Sequence, residues 1–158
     1  MLELYAELLT LLEHSWLGHL SRHSTWLFTI ANLMHVLGAA FVVGGIGVFD
    51  LKALRDHGRG AAGVGRIAIP LAAAGLALQI PTGLVLLSAE ATKLGVNPAF
   101  YAKLAFIAIG LVNLAVLHAR FGAATSGEDL PESVVPFAAI SFAAWMLTLL
   151  AGRMIAYL

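Results

Sequence analysis

Four stretches of this chain run for about 20 residues or more with almost no charge, the length an α-helix needs to cross the hydrocarbon core of a bilayer. They cover roughly residues 25–49, 64–89, 99–121 and 132–158. None of them alternates apolar and polar residues with period two, so membrane helices are expected and a β-barrel is not. Length and hydropathy therefore fix the expected class: an all-α, integral membrane four-helix bundle, with residues 1–158 forming a single membrane domain.

Composition agrees. The 158 residues are 60% hydrophobic and only 11% charged, with a mean hydropathy of +0.90. A soluble domain usually carries about 25% charged residues, so too few charges exist here to cover a surface facing water. The net charge is zero, which points away from nucleic acid as a partner and leaves the lipid bilayer. The chain has no cysteine, which excludes disulfides, Cys-ligated zinc and iron–sulfur clusters.

The segments between spans carry stop and start signals. Asn97-Pro98 reads as an N-cap with proline at the first helical position. Residues 122–127 break the chain, and Asp129, Pro131 and Glu132 suit the start of the last helix. Pro70 and Pro81 inside the second span predict a kink. The glycines at 44, 45, 47, 63 and 65 lack the strand and the Gly-Lys-Ser/Thr run of a phosphate loop. Ala40 and Gly44 read instead as a close helix contact. Before the first span, Glu3, Glu7, Thr10 and His14 form one polar stripe among leucines, which predicts a short amphipathic interfacial helix over about residues 2–14. This acidic stretch does not read as a signal peptide.

Lys and Arg set the expected orientation. Lys52, Arg55, Arg59 and Arg66 surround the first connection, Arg120 marks the third, and the second holds only Lys93. The odd connections are therefore cytoplasmic, and in a bacterial inner membrane both termini would be periplasmic. Trp16, Trp26, Tyr101 and Tyr157 fall near that outer boundary, where aromatic belts occur.

Ionisable groups inside a span are candidates for function by default. Counting 1.5 Å of rise per residue sorts them into two layers. The outer layer holds His35, Gln79, Thr82, Lys103 and Arg153; the inner holds His118, Asp50 and Arg66. Haem b needs an axial imidazole and cations for two propionates. His35 is the expected axial ligand to the haem iron, and Gly38 and Ala39 one turn on leave room for a flat macrocycle. Lys103 and Arg153 would hold propionates, with Gln79 and Thr82 completing the cofactor-binding set. No second ligand is evident, since His118 is too deep and His19 and His23 would have to fold back. The plainer readings are a hydrogen-bonded interhelical His35, snorkelling Lys103 and Arg153, and loop or interface positions for His14, His19, His23 and His57. Likewise His118 with Arg120 marks the end of the third span, and Asp50 with Lys52 and Arg55 a solvated helix end.

Several motifs occur in order: His35-Val-Leu-Gly38, Asp50-Leu-Lys-Ala-Leu54, Pro81-Thr-Gly83, Asn97-Pro-Ala-Phe100-Tyr-Ala-Lys103, Trp145, and Gly152-Arg153-Met-Ile-Ala-Tyr157. Together they resemble a bacterial family of small four-span membrane proteins, itself similar to the CopD copper-resistance proteins and the HemJ-type protoporphyrinogen oxidases. The likeness covers almost the whole chain. In HemJ-type proteins a His in the first span and a Lys at the start of a later one imply haem b binding, and His35 and Lys103 match these in character. A CopD-like copper site would draw on Met and His, but Met1, Met34, Met146 and Met154 form no cluster.

The expected function is thus a membrane haem-b protein acting in electron transfer with a membrane or periplasmic redox partner. If the chain is an enzyme, it is a haem-dependent membrane oxidoreductase. The rival readings are a cofactor-free transport or accessory subunit and a CopD-like copper-handling protein. Small-residue faces allow a homo-oligomer.

Overall fold

The computed structural model describes residues 2–122 and 129–158. Every regular element among them is helical. The elements are α1 (Leu2–Glu13), α2 (Trp16–His23), α3 (Thr25–Arg55), α4 (Ala61–Ala89), α5 (Ala91–Leu94), α6 (Pro98–Phe121) and α7 (Val135–Met154), with a 3-10 turn at Glu132–Val134 leading into α7. Four helices are long and apolar enough to cross a membrane: α3, α4, α6, and α7 with the turn before it.

The burial pattern is the reverse of a water-soluble fold. Val36, Ile67, Val112 and Leu150 are 60% or more exposed, while the buried apolar positions are mostly alanines. Burying one large aliphatic side chain is worth about 1.5–3 kcal/mol in water. A chain that turns so many of them outward is built for an apolar solvent.

Helix limits differ from the apolar runs where helix continues past the charge-free stretch. α3 extends through Asp50 to Arg55, closed by the Asp56 amide bonding to the Lys52 carbonyl. Lys52 also pairs with Asp56 one turn on, and that hydrogen bond holds the Asp56 carboxyl below the usual range. α4 runs without a break through Pro70 and Pro81. The helix α6 starts as its sequence predicts: Asn97 Oδ1 accepts from the amides of Ala99 and Phe100, and Pro98 follows the cap. The expected break over 122–127 lies, beyond Gly122, outside the described residues.

α3 is the central helix, packing against α4 on one side and α7 on the other, while α6 packs mainly on α7. The α3–α4 contact is backbone-close. A Cβ built on Gly38 would stand 2.9 Å from the Gly75 carbonyl oxygen, and one on Gly75 would stand 2.6 Å from that of Gly38. One on Gly45 would stand 2.6 Å from the Ala68 oxygen. These distances overturn the expected Ala40–Gly44 contact, since Ala40 is exposed and a Cβ on Gly44 meets nothing within 4 Å. The physical reason is register. Gly38 and Gly45 share the α3 face of His35, Val42 and Phe49, and Gly44 lies a residue off it. The same contact places Gly75 and Gln79 against Gly38, so the space expected there for a macrocycle is taken by α4.

The turn between α3 and α4 anchors the approach to α7. Gly58 has φ +88°, its carbonyl accepts from the Leu130 amide at 3.2 Å, and the Gly60 amide donates to Asp129 at 2.7 Å.

At the other end, α1 holds Glu3, Glu7 and Thr10 of the expected polar stripe and stops at Glu13, one residue before His14. Ser15 caps a separate helix, α2, whose Gly18 and Ser21 are buried; a Cβ built on Gly18 would stand 2.7 Å from the Ser88 oxygen of α4. Glu13 Oε2 accepts from both the amide and the hydroxyl of Thr92, at 2.8 and 2.6 Å. These bonds hold the Glu13 carboxyl below its ordinary range and tie α1 to α5. Leu4, Leu8 and Leu11, one face of α1, are exposed.

Candidate functional site

His35 lies ten residues into α3, about 15 Å along the helix axis. A ring needs space there, and α4 supplies it through Gly83, where an added Cβ would approach the His35 Cε1 to 3.2 Å. Both ring nitrogens are engaged. Nδ1 lies 3.0 Å from Thr82 Oγ1, and Nε2 lies 3.3 Å from Lys103 Nζ. Gln79 Nε2 donates to the His35 backbone carbonyl at 3.2 Å.

The tautomer follows from counting protons. Thr82 has one hydroxyl proton, and it points to the Leu78 carbonyl at 2.6 Å. Its oxygen is then an acceptor, so His35 Nδ1 carries the ring proton and donates it. Nε2 is left with a lone pair, and Lys103 donates to it. The chain of donors therefore runs from the Lys103 ammonium through the imidazole and the Thr82 hydroxyl to the Leu78 carbonyl, linking α6, α3 and α4.

Lys103 reaches His35 by turning inward. Its stem lies beside Gly152 of α7, where an added Cβ would stand 3.6 Å from Lys103 Cδ. All four long helices thus contribute: His35 from α3, Gln79 and Thr82 from α4, Lys103 from α6, and the bare backbone of Gly152 from α7.

Arg153 does not join this group. It is exposed, stacks on the Tyr157 ring at 5.1 Å and donates to the Tyr157 hydroxyl at 2.8 Å. The reason is helical geometry: Gly152 faces Lys103, and the next residue points about 100° away. His19 and His23 stack on each other, with centroids 3.9 Å apart, on the helix that docks beside Ser88, so neither folds back to His35. His118 is exposed near the end of α6. Among the described residues no group of three or more His, Asp and Glu side chains is arranged to hold a metal ion.

Asp50 differs most from its expected setting. It is 1% exposed, not a solvated helix end, and among the described residues neither carboxyl oxygen has a hydrogen bond of ordinary geometry, with the Ser141 hydroxyl beside it. It adjoins a cavity of about 30 Å³ whose lining includes Asn113, Ser141 and Trp145. A signal for this burial was present: Gly47 and Ala53, three residues to either side on the same stripe of α3, are small residues of the kind that pack between helices.

No family model, curated protein or solved structure matches the chain.

Proposed function

We propose that this chain is a multi-pass protein of a bacterial inner membrane that binds haem b through His35 and serves electron transfer with a membrane or periplasmic partner. In this reading the four long helices form one bundle, both termini are periplasmic, and α1 lies at the outer interface with Leu4, Leu8 and Leu11 in the lipid. The observation that carries the reading is the state of His35. A ligand imidazole needs one nitrogen held by a hydrogen bond and the other bearing a lone pair, and Thr82 enforces that arrangement.

His35 Nε2 would hold the haem iron, and Lys103, which occupies that nitrogen here, would turn its flexible stem beside Gly152 to neutralise a propionate. Helix α6 makes its main contacts with α7 and reaches His35 only through the Lys103 side chain, so in this reading a haem would lie on the α6 side of His35, since α4 fills the other. Bound haem supplies a one-electron couple. The protein side of that chemistry is to orient the imidazole through Thr82, fix its backbone through Gln79, and hold a cation beside it. The likeness of His35 and Lys103 to the His and Lys of HemJ-type proteins points the same way.

The test is the absorption spectrum of protein purified from haem-replete cells. A Soret band lost in His35→Ala and weakened in Thr82→Val is expected. A colourless preparation overturns the proposal. It would favour the second reading, a cofactor-free transport or accessory subunit, for which the observation is that Lys103 already satisfies Nε2.

A further inference from the structure

The geometry points to a second polar site, at Asp50: a proton-binding carboxyl that serves the end of α3 carrying Lys52 and Arg55, about 22 Å along that helix from His35.

Asp50 is enclosed, and among the described residues neither of its oxygens has a hydrogen bond of ordinary geometry, the Ser141 hydroxyl being the donor beside it. Taking an ionised carboxylate out of water with no counterion and only a hydroxyl beside it is costly, so a group in this setting is neutralised. Among the described residues the neutralising charge does not come from a side chain of the cavity. Around the adjoining cavity α4 contributes Ile69, α6 contributes Asn113 between leucines, and α7 contributes Ser141 and Trp145. None of these ionises, and α3 itself adds only apolar residues to the lining. The charge therefore comes from solution.

A proton fits this site better than a metal cation. Sodium or potassium shed of water needs several oxygen ligands at once. The side chains lining the cavity carry four oxygens: two from Asp50, one from Ser141 and one from Asn113. The Asn113 amide nitrogen is already committed to the Phe137 carbonyl at 3.0 Å. A protonated carboxyl needs only one acceptor for its O–H and one donor for its C=O. Asn113 can accept and Ser141 can donate, directly or through one water. The cavity of about 30 Å³ exceeds the roughly 10–15 Å³ a single water requires.

Access is short from one side. Asp50 lies five residues before the end of α3 at Arg55, about 7–8 Å along the axis. The proton is taken from water at that end, its bond to the Asp50 oxygen forming as its bond to water or hydronium breaks, and it is returned the same way. The site does not depend on haem at His35; a colourless protein would leave it standing.

Infrared difference spectroscopy of the full-length protein in lipid vesicles, with potassium as the only metal cation, tests the inference. At neutral pH the wild type is expected to show the C=O stretch of a protonated carboxylic acid, lost at strongly alkaline pH and missing in Asp50→Asn. Replacing potassium by sodium should leave the band unchanged. Ser141→Ala and Asn113→Leu should each shift its frequency, which keeps the test open if Asp50→Asn fails to fold. The inference is overturned if only ionised carboxylates are seen at neutral pH, if the band survives in Asp50→Asn, if sodium abolishes it, or if it stays unshifted in both cavity variants.

Discussion

Replacing Gly45 by alanine puts a methyl group 2.6 Å from the Ala68 carbonyl oxygen and 3.2 Å from the Ala72 amide nitrogen. Ordinary van der Waals contact begins at 3.4 Å, so α3 and α4 must separate locally by about 0.8 Å, and overpacking of that kind costs about 1–3 kcal/mol. Gly44, one residue earlier, meets nothing within 4 Å. The same change there only removes glycine from a helix interior, which gains up to about 1 kcal/mol. The two neighbours should therefore shift in opposite directions and differ by about 1–4 kcal/mol. Unfolding in mixed micelles titrated with sodium dodecyl sulfate, followed by helical circular dichroism, measures both on one scale. Equal stabilities for Gly44→Ala and Gly45→Ala would show that the α3–α4 face has been wrongly placed.

Gly58→Ala forces a side chain onto a residue with φ +88° and toward the Leu130 carbonyl, so a loss of about 1–3 kcal/mol is expected, with faster hydrogen exchange at the Leu130 amide. Asn97→Ala removes the α6 cap, worth about 1 kcal/mol, and also the bond from Asn97 Nδ2 to the Ile155 carbonyl. Asn97→Asp keeps the cap alone and should fall between that variant and the wild type in the same titration. The Glu13 carboxyl is held below its ordinary range by Thr92. Its contribution is therefore complete above about pH 4–5, and fades as pH falls through the depressed value. Exchange at the Thr92 amide should quicken over that acid range in the wild type, and be quick at every pH in Glu13→Gln.

The four long helices were legible because a bilayer demands length and low charge, and both are one-dimensional properties of a sequence. Faces are harder to read. α3 is apolar nearly all round, so hydropathy did not say that Gly45 faces α4 and Gly44 does not. Depth counting along single helices brought His35, Gln79, Thr82 and Lys103 to one level, and these four meet. It placed Arg153 there too, because depth carries no rotation, and rotation sends Arg153 to Tyr157. Asp50 was misread for a related reason. Lys52 and Arg55 nearby made it look like part of a watery helix end, yet Asp50 shares a stripe of α3 with the buried Gly47 and Ala53, three residues to either side. α2 escaped notice because its eight residues are too polar on average to register as part of the apolar pattern.

The two polar sites share a location in the architecture. α3 and α4 lock along glycines and alanines, and α6 and α7 lock where Trp145 lies against Gly110, an added Cβ there coming within 3.0 Å of the indole. Between these pairs α3 touches α7, but α6 reaches across mainly with side chains. Lys103 crosses to His35 at one end, and Asn113 lines the Asp50 cavity about 15 Å further along α6. A seam closed by backbone contact leaves no room for a guest, since its atoms are already at van der Waals distance. The seam bridged by Lys103 and Asn113 is closed by side chains instead, and it holds the small cavity beside Asp50. Lys103 and Asn113 therefore stand where the helices are least tightly sealed, whereas His35, Gln79 and Thr82 lie along the α3–α4 contact itself.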